Sequence, residues 1–138
     1  MARNIPRILL ADDDEELCEE LAEILREEGY EVETVFAGAR AGERAADDAH
    51  DLYLLDMKMP GLSGLDILTS LKRRRPDAKV VIVTGSLAAD RFLRREKFAE
   101  KTEHEDVLRT ADAVIAKPFD IDVVLAAIAR LTGRRDRA

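Results

Sequence analysis

Four short segments of the chain each end an apolar run on a side chain suited to phosphate or metal chemistry. Ile8-Leu9-Leu10-Ala11 leads into Asp12 and Asp13, and Leu52-Tyr53-Leu54-Leu55 leads into Asp56. Val80-Val81-Ile82-Val83 leads into Thr84, and Ala113-Val114-Ile115-Ala116 leads into Lys117. Three carboxylates gathered at one place repel one another, and some protonate unless a cation is present. An all-oxygen set of this kind suits Mg²⁺, which keeps several waters and takes one or two carboxylates. With the cluster screened, one carboxylate oxygen is left to attack phosphorus. Lys117 then supplies fixed positive charge, and the Thr84 hydroxyl a hydrogen bond. Phosphoryl transfer needs mainly positioning and charge neutralisation, which these groups provide.

The elements that must position these residues are legible in the same runs. Four consecutive apolar residues bounded by polar ones read as a strand buried on both faces, as in a parallel sheet. Parallel strands end on one edge, so side chains scattered over more than 100 positions converge at one rim. Glu31-Val32-Glu33-Thr34-Val35-Phe36 alternates and reads as another strand, at an edge. Helical spacing links the strands. Leu17, Leu21, Ile24 and Leu25 stop at Gly29, and Ala41, Ala45, Ala46 and Ala49 form a small-residue face. Leu65, Leu68 and Leu71 follow Gly64 and end near Lys72-Arg73-Arg74-Arg75, before Pro76; Val124, Leu125, Ile128 and Leu131 end at Gly133. Strict β-α alternation, five times over, implies an α/β fold with a parallel sheet, helices on both faces and right-handed crossovers. In a doubly wound five-stranded sheet of order 2-1-3-4-5, strands 1 and 3 are neighbours and ligands sit beyond their carboxyl ends. Asp12, Asp13 and Asp56 come from those two ends.

Bulk properties narrow the function. The 138 residues suit one domain, with a core from about residue 5 to 132 and a short basic tail over 133–138, expected to be frayed. A net charge of −7 and a pI near 4.9 argue against direct nucleic-acid binding, which needs clustered Lys and Arg. The one cysteine, Cys18, excludes an intramolecular disulfide framework and fits a reducing compartment. No apolar run approaches the ~20 residues that span a bilayer, and the N-terminus lacks the apolar core of a secretory signal. The expectation is a cytoplasmic protein with no membrane partner.

Other residues have blander roles. Asp14 reads as the cap of the first helix, with Glu15 and Glu16 favouring its positive end. Taken alone, Thr84 also reads as a helix N-cap. His50 and His104 sit in polar stretches and are expected to be exposed. Cys18 reads as a small packing residue, and Lys72 to Arg75 as charges complementing a helix C-terminus.

Taken together, the segments Ile8-Leu9-Leu10-Ala11-Asp12-Asp13-Asp14, Asp56-Met57-Lys58-Met59-Pro60-Gly61, Val83-Thr84-Gly85 and Lys117-Pro118-Phe119 resemble the receiver domains of two-component response regulators, from Ile8 to about Leu131. The resemblance implies a flavodoxin-like (βα)5 fold and phosphorylation of Asp56 by a sensor histidine kinase or phosphotransfer protein. It implies Mg²⁺ held by the Asp13 and Asp56 side chains, by Asp12 largely through water, and by the Lys58 backbone carbonyl. Thr84 would turn toward the phosphoryl group, Lys117 would pair with it, and Lys117-Pro118 would be a cis peptide. The result is a phosphoacceptor signalling domain that assists its own phosphorylation and dephosphorylation, not an enzyme on a separate substrate. Lys58, near the approach of a hydrolytic water, bears on phosphoryl lifetime.

Two departures concern output. Receiver domains commonly carry an aromatic residue three positions before the lysine, and here that residue is Val114. The segment between Thr84 and Lys117 is long by about three helical turns and reads as an extended, charged fourth-helix region over about 88–110, a solvated helix followed by a loop or a second short helix. In the family, the fourth helix, fifth strand and fifth helix form the surface that downstream proteins read, which makes Phe92, Leu93 and Phe98 candidate contacts. The alternative function is a receiver-fold adaptor whose output does not depend on phosphorylation. An aspartate-nucleophile phosphatase is disfavoured, because Lys58 stands where a second Asp is needed. A flavin protein is disfavoured by the lack of a Ser/Thr/Gly-rich loop after the first strand. With no output module after the receiver segment, the expectation is a stand-alone receiver or one taken from a larger regulator.

Overall fold

The computed structural model describes residues 5–85 and 103–133. Five parallel strands, β1 (Arg7–Ala11), β2 (Glu31–Val35), β3 (Leu52–Asp56), β4 (Lys79–Thr84) and β5 (Ala113–Ala116), form one sheet in the order β2-β1-β3-β4-β5. The described helices are α1 (Glu15–Glu27), α2 (Gly38–Ala46), α3 (Gly64–Arg74), α4 (Glu103–Leu108) and α5 (Ile121–Thr132). This is the doubly wound topology expected from the alternation, with β2 at an edge.

The apolar runs are continuous because each strand feeds two cores. Leu9, Ala11, Tyr53, Leu55, Val80 and Ile82 face one way and join Ala41, Ala45, Leu68 and Leu71 of α2 and α3. Their neighbours Ile8, Leu10, Leu52, Leu54, Val81 and Val83 face the other way and join Cys18, Leu21, Leu25, Val124 and Ile128 of α1 and α5. Burying one such Leu or Ile contributes about 1.5–3 kcal/mol. Because successive side chains alternate faces, a strand buried on both sides can show no polar alternation.

Local chemistry sets the ends. Asp14 accepts from the Leu17 N–H and caps α1. The α1 C-terminus closes with Tyr30 N–H on the Leu25 carbonyl and Gly29 at φ 94°, a left-handed stop that suits glycine. Ser63 and Asp66 form a reciprocal capping box at α3. Asp120 caps α5, and Gly133 ends it at φ 74°.

Several expectations need correction. The helix expected to reach Ala49 stops at Ala46, because Asp48 adopts a positive φ of 52° and turns the chain. His50 is buried, not exposed. Its Nε2 lies 2.9 Å from Glu33 Oε1, and its ring meets Tyr53 edge-on at 5.7 Å. Its sequence neighbours are polar, but Glu33, held by Arg44 across the turn, supplies a partner that makes burial tolerable. The basic end of α3 does more than face the dipole. Lys72 bonds the Ala78 carbonyl and Asp112, while Arg74 and Arg75 reach Asp48. Of the region expected to be helical over about 88–110, the described residues hold α4. Arg109 and Thr110 form a turn, so the helical region ends at Leu108; residues 88–102, with Phe92, Leu93 and Phe98, lie outside the described residues, as do the His104 side chain and the tail beyond Gly133.

Candidate functional site

Strand register assembles the site. Ala11 pairs with Leu55, so Asp12 leaves β1 beside Asp56 at the end of β3. Asp56 pairs with Val83, which sets Thr84 one residue further on, and Thr84 pairs with Ala116, immediately before Lys117. The Lys117 N–H donates to the Thr84 carbonyl at 2.8 Å, and the Lys117-Pro118 peptide is cis.

Carboxylate oxygens of Asp12, Asp13 and Asp56 lie within 4.8 Å of one another, with Asp12 and Asp56 buried and Asp13 exposed. Lys117 Nζ stands 2.7 Å from Asp12 Oδ2 and 3.6 Å from Asp56 Oδ2. Thr84 is buried at the same edge, and the Lys58 side chain is exposed. The geometry therefore gathers the three acids and the lysine, with Thr84 on the adjoining strand end.

The electrostatics of this cluster are unbalanced. At an effective dielectric of ~20, each carboxylate pair at such a separation repels by about 3 kcal/mol. One ammonium faces three carboxylates. Burial, and then the Asp12 charge, push the Asp56 carboxyl up to about 6; Lys117 and the Lys58 backbone N–H pull it down, and Asp13 adds to the rise. Burial opposes the charge on Lys117, yet its bond to Asp12 and the charges of Asp56, Asp12 and Asp13 carry its ammonium above the ordinary value. An oxygen-only pocket with surplus negative charge fits a hard divalent cation.

Some supporting residues were not legible in the sequence. Cys18 Sγ donates to the Asp12 carbonyl at 3.4 Å, tying α1 to the acidic turn. Burial first, and then Asp12, push that thiol up to about 12, so it packs and bonds without acting as a nucleophile. The pull of the Lys58 backbone N–H on the Asp56 charge also leaves no residue-type signal, because it depends on backbone direction in a loop. Val114 is half-buried and packs with Val107 and Ala111 against the core shared by α2 and α3. Among the described residues no helix is long and apolar enough to cross a membrane.

The model for the response regulator receiver domain matches residues 8–129. The chain is 37% identical over 128 residues to the response regulator protein PmrA of Pseudomonas aeruginosa, covering 93% of this chain and 53% of that protein. It is 36% identical over 116 residues to the transcriptional activator protein PfeR of the same organism, covering 84% of this chain and 34% of that one. It spans about half the length of the first curated relatives it matches. Among solved structures it is similar to the response regulator TrrA of Thermotoga maritima, crystallised with Mg²⁺-BeF (TM-score 0.76, 29% identity, 92% and 99% covered). A CheY-like receiver domain from Methanospirillum hungatei is similar as well (TM-score 0.75, 28% identity, 94% of each chain).

Proposed function

The chain belongs to the response regulator receiver family, and from that premise we propose that Asp56 accepts a phosphoryl group in an Mg²⁺-dependent two-component phosphorelay. The observation that carries the reading is the meeting of Asp12, Asp13 and Asp56 with Lys117 at one sheet edge. Asp13 and Asp56 and the Lys58 carbonyl would hold the metal, with Asp12 acting on it through water. Bound there, Mg²⁺ neutralises the carboxylates and the charge on the phosphoryl oxygens.

The step is in-line displacement. An Asp56 Oδ forms a bond to phosphorus, the bond from phosphorus to the donor histidine nitrogen breaks, and the imidazole leaves with that electron pair. Lys117, already beside Asp56, pairs with a phosphoryl oxygen, and the Thr84 hydroxyl donates to another. The donor is a sensor histidine kinase or a phosphotransfer protein. The phosphorylated chain then shifts between two conformations and signals to a downstream protein through the face built around α4, β5 and α5. The relative TrrA, crystallised with Mg²⁺-BeF, supports the same chemistry here.

Incubation with acetyl phosphate and Mg²⁺, read by intact mass, tests the reading. One phosphoryl group should be gained, and the gain should vanish without Mg²⁺ and in Asp56→Asn. No gain in the wild type contradicts the proposal and leaves a phosphorylation-independent adaptor as the better account.

A further inference from the structure

α2 starts without a side-chain cap, since Ala37 occupies that position. The first amides of a helix have no partner within it. Here the Gly38 N–H donates to the Pro60 carbonyl at 3.1 Å, so the loop after Asp56 serves as the cap. The fit is close. A Cβ on Gly38 would stand 1.7 Å from the Leu62 carbonyl oxygen and 2.7 Å from the Leu62 nitrogen, so the loop backbone lies directly on the helix. One turn on, a Cβ on Gly42 would stand 2.8 Å from Leu62 Cδ2.

The other end of this loop reaches the reacting group. Met57 and Met59 are buried in the same core cluster as Ala41 and Ala45 of α2. Between them, the Lys58 backbone N–H favours the charged form of the Asp56 carboxylate. The Met57 N–H donates to the Val83 carbonyl, and the Gly64 N–H to the Met57 carbonyl, which leaves the loop little freedom except where it meets α2.

We infer that Gly38 and Gly42 form a glycine seat on α2 that fixes the 57–62 loop and thereby aims the Asp56 carboxylate and the Lys58 backbone. They are positioning residues for the phosphoacceptor site, and the inference rests on the function proposed above. Any side chain at Gly38 lifts the loop backbone. A side chain at Gly42 meets only the far end of the exposed Leu62 side chain, so it presses the loop less than one at Gly38, and trimming Leu62 relieves it.

The experiment is an Mg²⁺ titration of the metal-free chain, followed by backbone amide shifts and calorimetry. It compares wild type, Gly38→Ala, Gly42→Leu and Gly42→Leu with Leu62→Ala. Groups that orient metal ligands typically change affinity by about 10- to 100-fold. Gly38→Ala should weaken Mg²⁺ binding by at least about tenfold with the helical circular dichroism retained, Gly42→Leu should weaken it by a smaller factor, and Leu62→Ala should restore binding to Gly42→Leu. A purely structural role would lower the melting temperature without moving the affinity of the folded protein, and that result overturns the inference. If Gly38→Ala fails to fold, the Gly42→Leu pair decides alone. If the wild type binds no Mg²⁺, the phosphoacceptor reading falls. The seat is then judged by the Met57 and Lys58 amides: displacement in Gly42→Leu that Leu62→Ala reverses supports it, and unmoved amides overturn it.

Discussion

Lys117 is placed to neutralise charge in two settings, against Asp12 and Asp56 as the chain stands and against a phosphoryl group once one arrives. Removing one fixed charge-stabilising group from a transfer site costs on the order of 10²–10³ in rate. Lys117→Ala should therefore slow acetyl phosphate transfer to Asp56 by at least about 10²-fold, measured as the rate of mass gain at saturating Mg²⁺. A separate residue-scale effect lies in the Glu33 group. The Arg44 hydrogen bond is the largest cause holding the Glu33 carboxyl at about 2, burial opposes it, and His50 assists. A carboxyl held low in the folded state adds stability above its ordinary value near 4.5 and loses it as pH falls toward about 2. Glu33→Gln should flatten the acid limb of melting temperature against pH between about pH 5 and pH 3, and an unchanged slope counts against the pairing. Neither Glu33 nor His50 announced this in the sequence. Glu33 looked like the solvent face of an edge strand, and His50 was surrounded by polar neighbours. A partner eleven or seventeen positions away has no local signature.

At the scale of elements, much was readable because each signal was local. The apolar runs, the Asp14 cap, the Gly29 and Gly133 stops and the strict alternation all act within a few residues, and they mark the observed strands and helices; the strand order belongs to the doubly wound fold that such alternation implies. Parallel order in turn brought the ends of β1 and β3 together, which is why Asp12 and Asp56 could be grouped from sequence. Features made by two distant elements meeting were invisible. The seat of the 57–62 loop on α2 and the Lys72–Asp112 bracket between α3 and the residue before β5 are examples. α2 ends before its alanine pattern does, because that pattern continues past a turn made by the backbone of Asp48. The α3 start gives an element-scale prediction. Ser63 satisfies the Asp66 N–H, and Asp66 returns the bond to the Ser63 N–H. Ser63→Ala should lower unfolding free energy by about 1 kcal/mol, read by urea denaturation with an unchanged slope. A loss below about 0.3 kcal/mol would mean that solvent replaces the cap.

Across the whole molecule, the fold holds the ends of β1 and β3 together although the charges they carry repel. Groups that bind only the folded state stabilise it by mass action. Mg²⁺ at ten times its dissociation constant should raise unfolding free energy by about 1.4 kcal/mol, seen as an upward shift in melting temperature. Asp13→Ala should remove that shift and, with no Mg²⁺ present, melt higher than the wild type, because one repelling carboxylate is gone. A wild type indifferent to Mg²⁺ would count against the metal site. The central claim, that Asp56 is the phosphoacceptor, has a more direct test. The acetyl phosphate-treated protein is reduced with borohydride, which converts an aspartyl phosphate to homoserine, and the peptides are then sequenced. Homoserine at position 56, and there alone, is the expected result. Homoserine at Asp12 or Asp13, or none at all in a sample that has gained phosphoryl mass, would contradict the account.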